Sequence, residues 1–342
     1  MESSGRFKQL LPRIPKTWLV TGCAGFIGSH LLEALLCLDQ NAVGIDNFAT
    51  GSQQNLVDVR KKVGEERWRR FRFIEGDICE PSACRDAVKD CEIILHQAAL
   101  GSVPRSIDAP LPTHRVNVDG FILLLDTARE AGIKRFIYAS SSSVYGDHPD
   151  LPKREPNIGN ALSPYAVTKR VNELYALVFS SVYGLQSFGL RYLNVFGPRQ
   201  NPDGEYAAVI PRWMQALAHG NAGVIFGDGE TSRDFCYIDN VVEANLRAAL
   251  IENNEAASLV YNIGLGERTT LAQLYEMIRL AFEQEALDRS SLAPQFKAFR
   301  TGDVRHSLAD ISLARNLLGF SPQVSVAEGI ARTVRWFINN PG

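Results

Sequence analysis

The chain has 342 residues, 45% hydrophobic and 22% charged, which suits one large or two medium domains with a sizeable core. Its net charge is −2 with dispersed basic residues, which argues against nucleic acid or an anionic membrane as partner, and its six cysteines form neither a C-x-x-C pair nor a zinc spacing, so no metal is expected. The first sixteen residues lack the apolar core of a signal peptide and no run approaches about 18 apolar residues, so we expect a cytoplasmic protein.

The first predicted element is a buried strand, Trp18–Thr21, which leads into a glycine-rich turn and then a helix. Gly22, Gly25 and Gly28 stand in a G-x-x-G-x-x-G spacing within that turn. Such a turn brings backbone close to a pyrophosphate and aims a helix N-terminus at its charge. A tight turn without a ligand is the alternative for this motif alone.

A second predicted strand, residues 42–45, is followed directly by Asp46. A carboxylate at this position can accept hydrogen bonds from the hydroxyls of an adenosine ribose. Residues 47–52 contain no arginine or lysine that would neutralise a 2′-phosphate. The two motifs together predict NAD as the cofactor and disfavour NADP.

Further strands alternate with helices along the next part of the chain. We predict strands at residues 72–78, 91–97, 135–139 and 187–192 and a helix at about 120–131. This alternation is typical of an α/β fold with a Rossmann-like, doubly wound parallel sheet, in which ligands bind at the carboxyl ends of the strands. After Phe196 the elements shorten, which predicts a smaller C-terminal substrate-binding domain. We assign 1–195 with 237–265 to the NAD-binding domain and 196–236 with 266–342 to the smaller one.

Tyr165 and Lys169 are four residues apart in a predicted helix. Positions i and i+4 share one helix face, so the lysine ammonium is expected near the phenol. An unperturbed tyrosine has a pKa of about 10. A positive neighbour, together with a cationic nicotinamide ring, is expected to lower that pKa and make the phenolate available as a base. Alone, this spacing would more often mark a surface helix.

The motifs together resemble the extended short-chain dehydrogenase/reductases, and among them the nucleotide-sugar epimerases, from residue 17 to about residue 320. The landmarks are residues 21–28, 46–47, 76–78, 96–99, 117–118, 140–146, Tyr165 with Lys169, 191–198, 233–235 and 302–303. The resemblance implies a catalytic set of Ser141, Tyr165 and Lys169. It implies cofactor contacts from Gly22, Gly25, Phe26, Ile27, Gly28, Asp46, Asn47, Asp77, Ile78, Ala98, Ala99, Asn117, Tyr165, Lys169 and Tyr192. It implies substrate contacts from Ser141, Ser142, Tyr165, Asn194, Gln200, Arg233, Arg300, Asp303 and Ser307.

The serine run at residues 140–143 offers four hydroxyls for one role. The family pattern before Val-Tyr-Gly puts the catalytic hydroxyl at Ser141 and a pocket hydroxyl at Ser142, while Ser140 and Ser143 are expected to bind backbone groups. Which serine dominates stays open. Similarly, Arg233 has two interpretations, a surface ion pair with Asp234 or a bidentate cation for a diphosphate, which we favour. His96 follows a buried strand and is expected to be structural.

The residues beside the base indicate the reaction class. Sugar dehydratases and decarboxylases of this group carry a carboxylate in the segment before Val-Tyr-Gly, where this chain has serines 141–143. The resemblance therefore implies 4-epimerisation. In that reaction Tyr165 accepts the proton of the C4 hydroxyl, NAD accepts the C4 hydride, and the 4-keto sugar turns over before the hydride returns to its other face.

Two positions bear on the choice of sugar. Ser307 aligns with a residue that is tyrosine in bacterial enzymes strict for glucose and galactose and small in those that accept N-acetyl sugars. Gly101 replaces a lysine of the galactose enzymes. Both changes open the site, so the chain most resembles bacterial UDP-N-acetylglucosamine 4-epimerases. A UDP-glucuronate or UDP-glucose 4-epimerase is the alternative. A non-catalytic NAD-binding regulator is an alternative of another class, against which the intact Ser/Tyr/Lys set argues.

The resemblance also implies a homodimer in which helices at about 118–131 and 165–180 form a four-helix bundle. Each helix carries an apolar stripe that suits this role. The stripes are Phe121, Leu124, Leu125 and Ala128 in the first helix, and Leu174, Leu177 and Val178 in the second. Burial against the subunit's own sheet is the alternative.

Overall fold

A computed structural model describes residues 15–203, 207–299 and 304–340. Arg300 and Asp303, which are predicted to bind substrate, lie outside the described residues. The strands are β1 Thr17–Thr21, β2 Asn41–Asp46, β3 Phe71–Glu75, β4 Ile93–His96, β5 Arg135–Ser141, β6 Gln186–Tyr192, β7 Val195–Phe196, β8 Val224–Phe226, β9 Ser232–Arg233, β10 Cys236–Tyr237, β11 Leu259–Ile263, β12 Thr269–Thr270 and β13 Gln295–Lys297.

Helices connect these strands. They are α1 Phe26–Cys37, α2 Gln53–Val63, α3 Glu65–Trp68, α4 Pro81–Val88, α5 Val103–Asp108, α6 Pro110–His114, α7 Gly120–Glu130, α8 Pro164–Tyr183, α9 Val209–Ala218, α10 Ile238–Leu250, α11 Leu271–Gln284, α12 Ser312–Leu318 and α13 Val326–Asn339. A π-helical turn, Arg115–Asp119, leads into α7. None of the helices in the described ranges is long and apolar enough to cross a membrane.

Seven strands form one parallel sheet in the order β11-β6-β5-β4-β1-β2-β3. Its central strands β1 and β4 are buried along most of their length, as expected where helices cover both faces of a sheet. Successive side chains of a strand point to opposite faces. Accordingly, Trp18 and Val20 pack into one core with α1 and α10, whereas Leu19 packs into the other with α4, α7 and α8.

This architecture confirms the predicted α/β class and all six predicted strands. The predicted ends of some strands differ from the observed ends, because a strand ends where its backbone pairing with the neighbouring strand stops. Strand β4 is limited to Ile93–His96 because only these residues are in register with Trp18–Thr21 of β1. The seventh strand, β11, was not predicted as a strand, and it extends the sheet by pairing with β6.

The shorter elements after β6 pair two by two, β7 with β10, β9 with β12, and β8 with β13. Their core is continuous with one side of the sheet, because Trp213, Tyr275 and Ile330 belong to the same buried cluster as Trp18. These short paired strands, with the helices around them, form the smaller C-terminal region. The exact domain boundaries stay a prediction.

The two helices predicted to carry a subunit interface differ in exposure. The predicted stripe of α7, Phe121, Leu124, Leu125 and Ala128, is fully buried in the subunit's own core. For these four residues the expectation of an interface is wrong, because the sheet already uses their apolar face. The stripe of α8, Leu174, Leu177 and Val178, is exposed.

Candidate active site

The turn between β1 and α1 accepts only glycine at two of its predicted positions. Gly22 has φ +66°, and a Cβ atom there would lie 2.9 Å from the Ala98 nitrogen. A Cβ atom on Gly28 would lie 2.0 Å from the Gly22 oxygen. The turn therefore packs backbone on backbone at the N-terminus of α1, which suits the binding of an anion such as a pyrophosphate.

This turn forms one wall of a cavity of about 300 Å³ at the carboxyl ends of β1, β2, β3 and β4. Most of the predicted cofactor residues line it, namely Gly22, Gly25, Phe26, Ile27, Gly28, Asp46, Asn47, Asp77, Ile78, Ala98 and Ala99. Gly101 lines it as well. The sheet thus brings these residues together from four separate segments of the sequence, one after each of four strands, as expected for a switch-point site in a doubly wound fold.

Asp46 is a buried carboxylate whose two oxygens already accept hydrogen bonds. Oδ2 accepts from the Ala24 N–H at 2.9 Å and Oδ1 from the Phe48 N–H at 2.8 Å. Burial raises the pKa of Asp46, and the two backbone donors oppose that rise. Carboxylate oxygens each have more than one acceptor site. Asp46 can therefore hold the loop and still accept from ribose hydroxyls, and the cavity fits NAD.

Asn117 and Tyr192 stand behind this cavity and do not line it. The Asn117 side chain accepts from the Leu100 N–H at 2.8 Å and donates to the Leu100 carbonyl at 3.1 Å. The Tyr192 hydroxyl lies 3.2 Å from Gln97 Oε1 and accepts from Asn245 Nδ2 at 2.9 Å. Both predicted cofactor residues therefore hold the segment 97–100 that forms the cavity wall.

The predicted catalytic residues come from the end of β5 and the first turns of α8. The Ser163 hydroxyl caps α8 by accepting from the Ala166 N–H at 3.1 Å, with proline at the first helical position. Lys169 is buried, and its Nζ donates to the Ala139 carbonyl at 2.8 Å. The same Nζ lies 5.9 Å from the centre of the Tyr165 ring. Helix and strand together bring the predicted base and its lysine to one place.

Burial shifts the pKa of both residues of this pair. Burial raises the pKa of Tyr165, and its hydrogen bond with Ser141 opposes that rise. Burial also lowers the pKa of Lys169 to about 8, against the attraction of Glu173. In the protein alone, burial thus sets the direction of the tyrosine pKa, whereas the expected lowering also involves a cationic nicotinamide ring beside the phenol. The contribution of a cationic nicotinamide stays a prediction.

The structure separates the four serines. Ser141, the hydrogen-bond partner of Tyr165, also accepts from the Ser143 hydroxyl at 3.0 Å. Ser142 follows it and is half-buried. Ser140 is buried and donates to Glu173 Oε1 at 2.7 Å. The expectation that Ser140 and Ser143 bind backbone groups through their hydroxyls is therefore wrong, because both hydroxyls have side-chain partners.

A second cavity of about 280 Å³ lies between α9 and the strands β8 and β9. Asn194 and Arg233 line it together with apolar groups such as Trp213 and Phe226. Arg233 Nη1 donates to the carbonyls of Ser232 at 3.0 Å and Arg305 at 3.1 Å. These contacts fix a guanidinium in a cavity wall, an arrangement suited to a phosphate.

Of the remaining substrate candidates, Ser307 contacts a residue of this cavity and Gln200 does not line it. Asn194 Nδ2 donates to the Asp234 carbonyl at 3.0 Å and lies 3.4 Å from Ser307 Oγ. The Asp234 carboxylate accepts from three backbone N–H groups, and burial raises its pKa to about 6. Asp234 is thus buried and binds the backbone of two other loops. This differs from the surface ion pair with Arg233 that was the alternative. Gln200 lines neither cavity and donates to the Val195 carbonyl at 3.2 Å.

Some contacts and one residue of the site were not predicted from the sequence. Thr21 Oγ1 lies 2.9 Å from His96 Nδ1 and accepts from the N–H groups of Gln97 and Ala98. Burial lowers the pKa of His96 to about 3, so its imidazole is neutral, which agrees with the expected structural role. Glu173 was missed too, although its position four residues after Lys169 is a readable signal.

Nearly the whole chain is similar to known proteins. The sequence pattern described as the NAD dependent epimerase/dehydratase family matches residues 18–264. A UDP-glucose 4-epimerase of Mycolicibacterium smegmatis is 38% identical, over 94% of this chain and 98% of its own.

Two solved structures are similar as well. A UDP-N-acetylglucosamine 4-epimerase from Methanobrevibacter ruminantium M1, in complex with UDP-N-acetylmuramic acid, is 37% identical with a TM-score of 0.86 and covers 95% of this chain and 99% of its own. A UDP-glucuronic acid 4-epimerase from Bacillus cereus, in complex with UDP-glucuronic acid and NAD, is 30% identical with a TM-score of 0.83 and covers 94% of this chain and 99% of its own. The chain belongs to the NAD dependent epimerase/dehydratase family, in which it groups with the nucleotide-sugar 4-epimerases.

Proposed function

We propose that this protein interconverts UDP-N-acetylglucosamine and UDP-N-acetylgalactosamine by inverting C4 of the sugar. The observation that carries the choice of sugar is the small side chain at Ser307. Ser307 is half-buried and lies 3.4 Å from Asn194, a residue of the second cavity. A serine leaves room for an acetamido group at C2 that a tyrosine at this position would fill.

A second opening supports this choice. A Cβ atom on Gly101 would meet no atom within 4 Å among the described residues, so the wall of the first cavity is open there. The similar UDP-N-acetylglucosamine 4-epimerase of Methanobrevibacter supports it too. Similar proteins named UDP-glucose 4-epimerase and UDP-glucuronic acid 4-epimerase are 38% and 30% identical, so overall identity does not separate the sugars.

The reaction is a proton transfer coupled to a hydride transfer at C4. NAD, when bound, would supply the hydride acceptor and donor for C4. Tyr165 removes the proton from the C4 hydroxyl, and the same oxygen returns a proton at the end. Ser141 orients the C4 oxygen and, through its hydrogen bond, eases ionisation of the phenol. Lys169, as an ammonium, stabilises the phenolate.

The nucleotide would be held by the second cavity. Arg233 is the cation we assign to the diphosphate, and Asn194 with Gln200 and Ser142 would contact the rest of the substrate. Arg300 and Asp303 keep their predicted substrate roles, outside the described residues. Because hydrogen bonds to charged groups are worth about 1.5–3 kcal/mol, Arg233 is expected to be the strongest single contact.

The test is C4 inversion of separate UDP-sugars by purified protein, followed by NMR. We expect the two N-acetylated sugars to have the highest kcat/KM. Faster inversion of UDP-glucose or UDP-glucuronic acid would contradict the proposed sugar while keeping the reaction. Binding of NAD without inversion of any of these sugars would favour a non-catalytic regulator.

We further propose that the protein is a homodimer through the outer face of α8. This face exposes Val167, Leu174, Leu177, Val178 and Val182. A contiguous apolar surface on a helix is typical of a protein–protein interface. A second copy of the chain is the partner we assign to it, in a bundle to which α7 would contribute its half-buried residues Ile122 and Leu123.

A further inference from the structure

A carboxylate is buried one helical turn beyond Lys169. The Glu173 side chain is 2% exposed, and both its oxygens have two donors. Oε1 accepts from the Ser140 hydroxyl at 2.7 Å and from Arg191 Nε at 2.8 Å. Oε2 accepts from Arg191 Nη2 at 2.8 Å and from Arg170 Nη1 at 3.0 Å. Glu173 thus makes a bidentate ion pair with Arg191 inside the protein.

The partners of Glu173 directly precede two residues of the site. Ser140 and Arg191 face each other across β5 and β6, and the next pair in register is Ser141 with Tyr192. Because successive strand residues point to opposite faces, one pair contacts Glu173 and the other turns toward the site. Glu173 therefore connects α8, which carries the base, to the two strands that carry its neighbours.

Burial of an ion pair costs desolvation and is weak evidence of a stabilising role. The Arg191 side chain is 1% exposed, and its Nη1 donates to the Glu155 carbonyl at 2.8 Å. A pair of well-packed apolar side chains would serve stability as well. The location of the pair, beneath the reacting groups, points to a role in the reaction.

We propose that Glu173 is a positioning residue, which fixes Ser141 and Tyr192 relative to Tyr165 and keeps Lys169 in its ammonium form. The inference rests on the proposed roles of Ser141, Tyr165 and Lys169. It extends them to a group that does not touch the substrate.

The charges around Lys169 support this inference. Burial lowers the pKa of Lys169 to about 8, and Glu173 is the group that opposes the fall. The other titratable groups near it are Tyr165 on α8, Tyr138 on β5, which burial keeps protonated, and His96 on β4, whose pKa of about 3 keeps it neutral. Arg191 on β6 and Arg170 on α8 are the ion-pair partners of Glu173, and the shift in the Lys169 pKa has burial and Glu173 as its causes. Loss of the carboxylate charge therefore lowers the Lys169 pKa further, and the ammonium disappears at a lower pH.

The experiment compares the pH dependence of kcat for three variants with the wild-type protein, on the UDP-sugar that the wild type inverts fastest. Glu173→Gln removes the charge. Glu173→Gln with Arg191→Met removes both charges and leaves no unpaired buried cation. Arg170→Gln, which removes the exposed partner of Glu173, is the matched control.

We expect the alkaline limb of kcat to move down by roughly one pH unit in the first two variants, with KM for the UDP-sugar nearly unchanged. Arg170→Gln should keep the wild-type limb. If Glu173→Gln does not fold, the double variant decides.

An alkaline limb at the wild-type pH in both variants would overturn the proposal. An alkaline limb of kcat that returns to the wild-type pH in the double variant would also overturn the proposal, because the shift in Glu173→Gln would then come from the unpaired Arg191. Failure of the double variant to fold would assign the pair to folding and overturn a positioning role. A wrong assignment of the sugar would change only which substrate is used.

Discussion

The two cavities of this protein are built from different kinds of chain segment. The first is formed where neighbouring parallel strands end, and its residues follow β1 to β4 within short stretches of sequence. The second is formed where distant loops meet, and its Asn194 contacts Ser307 from 113 residues further along the chain. The cofactor site can therefore be predicted from local sequence motifs. The choice of sugar is harder to predict, because it depends on contacts between segments that are distant in the sequence.

The largest effect is expected at Tyr165, the proposed base. Tyr165→Phe removes only the oxygen that accepts the C4 proton, so kcat should fall by about 10²–10⁴-fold while NAD content stays at the wild-type level. The measurement is C4 inversion by NMR, with NAD released by denaturation as the control. Tyr175→Phe, on the exposed side of the same helix, should leave kcat unchanged. A near-normal kcat for Tyr165→Phe would show that Tyr165 is not the base.

The next effect concerns the first cavity alone. Asp46→Ala should weaken NAD binding by about tenfold or more, since a charged acceptor of ribose hydroxyls is lost. Asp46→Asn keeps the side-chain shape and one acceptor oxygen, so its loss should be smaller. The NAD content of the purified variants measures both. Equal NAD content in Asp46→Ala and wild type would show that the carboxylate serves only Ala24 and Phe48.

A smaller and more selective effect is expected in the second cavity. Ser307→Tyr adds a ring to the wall that we assign to the C2 substituent, and overpacking of this kind costs about 1–3 kcal/mol. The ratio of kcat/KM for UDP-N-acetylglucosamine to that for UDP-glucose should therefore fall by about tenfold. Ser307→Ala keeps the space and should keep the ratio. Equal losses on both sugars would mean that Ser307 supports UDP binding or the fold.

The smallest effect on either cavity is expected from the outer face of α8. Leu177→Glu places a charge on a side chain that is 51% exposed, at the proposed subunit interface. Light scattering should then give the mass of one 37.8 kDa chain in place of two. Val57→Glu on α2, at a position that is also 51% exposed, should leave the mass unchanged. A wild-type protein that is already a single chain at micromolar concentration would contradict the dimer.

The sequence predicts the sheet and the first cavity well because their signals are local. The glycines of the first turn are required by close backbone contacts, and Asp46 follows its strand directly. Apolar periodicity, by contrast, does not name the partner of a helix face, and so the stripe of α7 was assigned to an interface while it packs on the sheet. The partners of Ser140 and Asn117 lie on other segments, so only the folded chain identifies them.

The central claim is that C4 of an N-acetylated UDP-sugar loses its hydride to bound NAD and regains the same hydride. UDP-N-acetylglucosamine carrying deuterium at C4 tests it most directly, with the purified protein in ordinary water and NMR as the readout. The account predicts UDP-N-acetylgalactosamine that keeps the deuterium at C4. Product with solvent hydrogen at C4, or no inversion of this sugar, would contradict it.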